Sequence, residues 1–200
     1  MVSMSVMARP REFDAEKALS QTMRVFWERG YRASTLADLM KAADVQKQSL
    51  YGAFGDKRSL FLKSLELYRN QVLSEIHGLL READSPFEGI ARVMQYASQP
   101  PAAKNSPSGC LMANTALELG LSDPDVAAEV KKLFRSTEKT LTAAVKQGQE
   151  RGEITTRFDG AAIAQSLANT INGIRILQNT GASDRHVKTV VEMALAAIKT

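Results

Sequence analysis

The chain has 200 residues, 44% of them hydrophobic and 24% charged, a globular mix that excludes a disordered or collagen-like protein. Its net charge is +4. Residues 1–60 carry 10 Lys/Arg against 7 Asp/Glu, while residues 61–200 carry 16 against 15, so the excess that could suit a polyanion sits in the first third.

Helix signals recur along the chain and strand signals are scarce. Asp14 is a candidate N-cap, followed at helical spacing by Ala18, Leu19, Met23, Val25, Phe26 and Trp27, with Gly30 as a stop. Thr35 opens a second helix ending by about Asp44. A third, short helix runs from about Gln46 to Phe54. Gly55 punctuates it, and Asp56 caps a longer fourth helix to about Leu80. Ser85-Pro86 opens a fifth helix to about Ser98, and Gln99–Ser108, with three prolines, reads as a loop. Cys110–Leu119, Asp123 to about Arg151, Asp159 to about Thr180 and Ser183 to about Lys199 complete about nine helices. The fold class is all-α.

The segment 35–54, TLADLMKAADVQKQSLYGAF, joins two short helices through a tight turn. Leu36, Leu39, Met40, Val45, Leu50 and Phe54 would lock them at a steep angle, leaving Gln46, Lys47, Gln48, Ser49, Tyr51 and Gly52 around the outward face. This is the pattern of a helix-turn-helix, whose second helix enters the major groove. The residue types suit that role. Gln pairs bidentately with adenine and Lys with guanine or phosphate, while Ser and Tyr hydroxyls suit phosphate oxygens. Thr35 and Asp56-Lys57 mark helix starts able to face a phosphate. Arg9 and Arg11, ahead of the first helix, could lie along the backbone or minor groove.

With these residues, the stretch from about Asp14 to Leu65 resembles the TetR/AcrR family of transcriptional repressors. The resemblance is carried by Ala18, Phe26, Gly30, Tyr31, Thr35, Leu39, Ala42, Val45, Gln48-Ser49-Leu50-Tyr51, Phe54, Lys57 and Leu60, and most specifically by SLYGAFGDKRSLF. Asp44 stands where the family usually has a turn glycine, and Gly52-Ala53 where it usually has an aromatic or His. The resemblance implies an N-terminal three-helix DNA-binding domain, at residues 8–56, and a C-terminal effector-binding and dimerisation domain, at residues 57–200. It also implies a homodimer on a palindromic operator, released by a small-molecule effector that prefers the DNA-incompetent state. The alternative is a constitutive DNA-binding dimer whose C-terminal domain only dimerises.

Beyond residue 57 the signals are weaker. The lone Cys110 allows no internal disulfide and fits a reducing, cytoplasmic setting. It is either a small buried hydrophobe or a sensor thiol activated at a helix N-terminus. Met94, Met112, Phe134 and Leu177 are candidates for a pocket lining or for ordinary core. Asn114, Asn169, Asn172 and Arg175 are polar groups on otherwise apolar helices, and they orient a ligand, satisfy a kink or cross an interface. The small and branched residues of helices 159–180 and 183–199 suit helix association, either in a hairpin within one protomer or, as the two-fold symmetry of an operator favours, across a dimer.

No enzyme signature is present. His77 and His186 are the only histidines and lie far apart. No metal spacing, phosphate loop or nucleophile elbow occurs, and no His accompanies Cys110, so neither catalysis, a metal nor a cofactor is expected. No run of about 18 apolar residues suggests a membrane span. The opening Met1–Met7 lacks the features of a signal peptide, and Met4 and Met7 are alternative starts to Met1.

Overall fold

The computed structural model describes residues 14–100, 107 and 109–200. Arg9 and Arg11 therefore lie outside the described residues. Nine α-helices account for most of the rest: α1 Ala15–Ala33, α2 Leu36–Ala43, α3 Lys47–Phe54, α4 Lys57–Arg81, α5 Pro86–Ser98, α6 Leu111–Leu119, α7 Pro124–Glu150, α8 Gly160–Asn179 and α9 Asp184–Ala196. The all-α expectation is met.

Capping chemistry places most of the starts. Asp14 accepts from the Lys17 amide, Asp56 from Ser59, Ser85 from Glu88, Asp123 from Asp125 and Val126, Asp159 from Ala161, and Ser183 from His186. Each satisfies a donor that a helix leaves orphaned in its first turn. Two ends differ in detail from the sequence expectation. Gly30 does break α1, at φ 77° and ψ 172°, but one further helical turn follows it to Ala33. And α9 ends at Ala196 rather than Lys199, because the last residues pair with the α7–α8 connection: Thr155 donates to the Ile198 carbonyl and Thr200 to that of Glu153.

Two apolar cores hold the chain. The first joins α1–α4 to α6 and the start of α7, through Phe26, Leu39, Leu50, Leu60, Phe61 and Leu65 on one side and Leu111, Met112, Val126 and Leu133 on the other. The second gathers the end of α4 with α5, α7, α8 and α9 around Ile90, Met94, Leu141, Val145, Ala164 and Ile174. The first core thus runs across residue 57, so α6 and α7 are packed onto the N-terminal helices. No described helix is long and apolar enough to cross a membrane.

Candidate nucleic-acid interface

The α2–α3 unit is built outward from two fully buried leucines, Leu39 and Leu50. With Phe54 they fix α3 against α2 and α4. The turn between α2 and α3 depends on Asp44, at φ 55° in the left-handed region, where the short polar side chain tolerates a conformation usually left to glycine. Locking one face of α3 sends the other to solvent. Gln46, Lys47, Gln48, Ser49, Gly52 and Ala53 are exposed and Tyr51 half-buried. Gln46 occupies the N-cap of α3 without a side-chain cap hydrogen bond. The first-turn amides of α3 therefore join the exposed face as donors.

Two neighbouring helix starts flank this face. Lys57 is the first residue of α4, and its Nζ sits 4.5 Å from the centroid of the Tyr31 ring, a cation–π contact that fixes the long side chain. Tyr31 in turn packs on Phe26 and Phe61, with centroid separations of 6.2 and 4.8 Å. Burial, followed by the charge of Asp56, raises the pKa of Tyr51, so its hydroxyl stays protonated and available to donate. Thr35 is placed differently from the expectation of an open anion site. Its amide and hydroxyl both donate to Asp38, at 3.0 and 2.7 Å, and its hydroxyl accepts from the Asp38 amide. Asp38 also pairs with Arg29 at 2.7 Å. The start of α2 is closed by its own carboxylate, a reciprocal capping box.

The structure places the eight C-terminal candidates in three settings. Met94 and Met112 are fully buried in the second and first cores, and Phe134 packs against the first. Asn114 accepts from Asn179 at 3.0 Å, Asn172 is half-buried and Asn169 is exposed. Arg175 alone of the eight lines a cavity of about 480 Å³ between α1, α4, α5 and α8. The other walls were not foreseen. They include Met23, Arg24 and Trp27 of α1, Tyr68 and Glu75 of α4, and Tyr96 of α5. Trp27 meets Tyr68 edge to face at 4.9 Å, and Arg175 lies 5.7 Å from the Tyr96 ring.

Cys110 is the N-cap of α6 and buried. It packs in the same core as Tyr68, and burial followed by the nearby thiol pushes the Tyr68 pKa well up. Cys110 thus shares a core with a residue of the cavity wall without lining the cavity itself. His77 contacts the Thr140 hydroxyl at 3.1 Å. Among the described residues no group of three or more His, Cys, Asp or Glu could hold a metal ion.

Comparison with known proteins bears on the whole chain. Residues 18–63 match the model of the bacterial regulatory proteins of the tetR family, and residues 86–194 match a tetracyclin repressor-like C-terminal domain. The chain belongs to the tetR family of bacterial regulatory proteins. It is a DNA-binding transcriptional regulator with an N-terminal helix-turn-helix. The HTH-type transcriptional repressor ComR of Escherichia coli K12 is 32% identical over 88% of this chain and 84% of its own. The repressor DhaR of Mycobacterium sp. strain GP1 is 27% identical over 86% and 87%. Among solved structures, a cysteine mutant of the TetR-family regulator CifR, in complex with 26-bp operator DNA, is 29% identical. It covers 94% of this chain and 99% of its own, with a TM-score of 0.83. The reduced form of E. coli NemR shares the fold, with a TM-score of 0.84 at 21% identity over 93% and 97%.

Proposed function

We propose that the protein is a homodimeric repressor that reads a palindromic operator with α3. It lets go when a small or thiol-reactive effector occupies the cavity region. The observation that carries the DNA-reading half is the exposed polar face of α3 over the sealed Leu39–Leu50 lock. Gln46, Lys47 and Gln48 take base edges in the major groove; Ser49, Tyr51 and Lys57 take phosphates. Arg9 and Arg11 add backbone or minor-groove contacts. Thr35 contributes chiefly by holding the start of α2.

Residues 8–56 form the reader, and residues 57–200 sense and dimerise, in the cytoplasm where the DNA is. The dimer forms through α8 and α9, whose remaining exposed apolar residues include Ile176 and Met193. The cavity, with three aromatic walls and charged side chains at its rim, favours an effector-responsive protein over a constitutive one. Cys110, in the same core as Tyr68 of the cavity wall, is the group that a thiol-reactive effector would modify.

Footprinting of the DNA upstream of the protein's own gene tests the first half. A protected two-fold site supports it, and uniform, sequence-independent binding sinks it. For the second half, N-ethylmaleimide should release wild type from that site and leave Cys110→Ser bound. Equal release of both removes the thiol from the mechanism.

A further inference from the structure

We infer that Glu118, at the end of α6, is a positioning residue for operator binding: its carboxylate holds the break in α1 and, through Tyr31, presents Lys57 to the DNA. This rests on the Lys57–phosphate contact proposed above.

The geometry is specific. At Gly30 the helix leaves its path, so the amides of Tyr31 and Arg32 lose the carbonyl partners that a continuous helix would give them. Glu118 takes both. Its Oε2 accepts from the Tyr31 amide at 2.9 Å and its Oε1 from the Arg32 amide at 2.7 Å. The two partners are 87 and 86 residues away in sequence, so the contact joins the C-terminal part of the chain to the N-terminal helices. Gly30 is fitted to it. A Cβ there would stand 2.7 Å from Glu118 Oε2, and the φ of 77° is one that side-chain-bearing residues rarely adopt. The carbonyl of Gly30 accepts from the Ser34 hydroxyl at 2.6 Å, which leads the chain into the cap of α2.

What the carboxylate fixes is then passed on. The held residue, Tyr31, stacks on the core rings Phe26 and Phe61 and offers its own ring to Lys57. A second contact from the next stretch of chain reinforces the joint. Asp123 accepts two hydrogen bonds from Arg58, at 3.0 and 2.8 Å, and Asp125 a third at 2.7 Å, with Arg58 directly after Lys57. Residues 118–125 thus grip the DNA-facing helices on both sides of Lys57. The other end of α6, nine residues long, is capped by Cys110.

Glutamine at position 118 keeps the shape but turns one acceptor into an amide donor facing a backbone donor. The test measures DNA binding of full-length wild type, Glu118→Gln, Lys57→Ala and the double variant, by fluorescence anisotropy across a salt series. The DNA is the site that wild type protects upstream of its own gene, and affinities are referred to the DNA-competent fraction titrated at saturation. Thermal midpoints are recorded in parallel. Expected for Glu118→Gln is an affinity loss of about tenfold with a thermal midpoint near wild type. The slope of log K against log salt should fall by about 0.9, as for one lost phosphate contact. The double variant should bind no more weakly than Lys57→Ala. Glu118→Gln binding like wild type with an unchanged slope overturns the inference. So do losses that add in full when Lys57→Ala is itself weakened. If Lys57→Ala binds like wild type while Glu118→Gln is weak, the phosphate role of Lys57 falls and the hold on α1 by Glu118 stands.

Discussion

The N-terminal helices and the C-terminal bundle use polar side chains in opposite ways. On α3 the polar residues point outward from a buried lock, and their spacing along one short helix is itself the interface. In the bundle the polar residues mostly turn toward one another: Arg69 to Glu129, Asn179 to Asn114, Arg92 to Glu88, Arg58 to Asp123. Its cavity is assembled from α1, the consecutive α4 and α5, and the distant α8. A surface that reads a long, regular polyanion can be written into one stretch of chain, whereas a hollow for a small molecule exists only after helices from several places have met.

Changes that attack one side of this contrast should have graded effects. Leu50→Ala is the harshest. A buried leucine truncated in a packed core costs about 2–5 kcal/mol, so urea unfolding should show that loss and operator binding should vanish with the α2–α3 angle. Gln48→Ala leaves the lock intact and removes a reader. It should cost about 1–3 kcal/mol on the preferred site and much less on sites mutated at the contacted base pair, a difference that competition binding against a library of variant sites would reveal. An equal loss on all sites would instead make Gln48 a phosphate contact. Thr35→Ala removes the capping box at the start of α2 and should lower stability by about 1 kcal/mol, read as a small drop in thermal midpoint.

Acid should produce the mildest and most distributed effect. Hydrogen bonds from Thr35 lower the pKa of Asp38, those from Ser59 lower that of Asp56, and that from the Arg58 side chain lowers that of Asp123. A carboxyl whose folded pKa is depressed stabilises the fold fully above its unfolded value and loses that contribution as pH falls through the folded one. Asp56 is exposed and Asp38 and Asp123 are half-buried; the three sit on α2, at the start of α4 and at the joint with α7. Thermal melts taken from neutral pH to below the ordinary carboxylate range should therefore show the N-terminal helices weakening first. A midpoint that rises on acidification would contradict the sign.

How much was legible follows the same divide. Asp14, Asp56, Ser85, Asp123 and Ser183 announced helix starts because capping is local chemistry, and Leu39 and Leu50 announced the lock because their spacing is set by a single turn. Gly30 read as a plain stop. The carboxylate that lets the helix resume lies more than eighty residues away, and no local pattern points to it. Met94 and Met112 could not be sorted between cavity and core, since an apolar side chain serves either and only packing decides. The walls that α1 contributes to the cavity, Met23, Arg24 and Trp27, were invisible for the converse reason: they sit on a helix whose sequence spoke only of DNA.

The break at Gly30 also sets a clock. Backbone amides beside a helix interruption ordinarily exchange their protons with solvent quickly, yet those of Tyr31 and Arg32 are each held by a carboxylate oxygen from α6. Their exchange rates measure how often the two parts of the molecule let go of each other. Two amide signals, followed in heavy water with and without DNA, would time that separation directly.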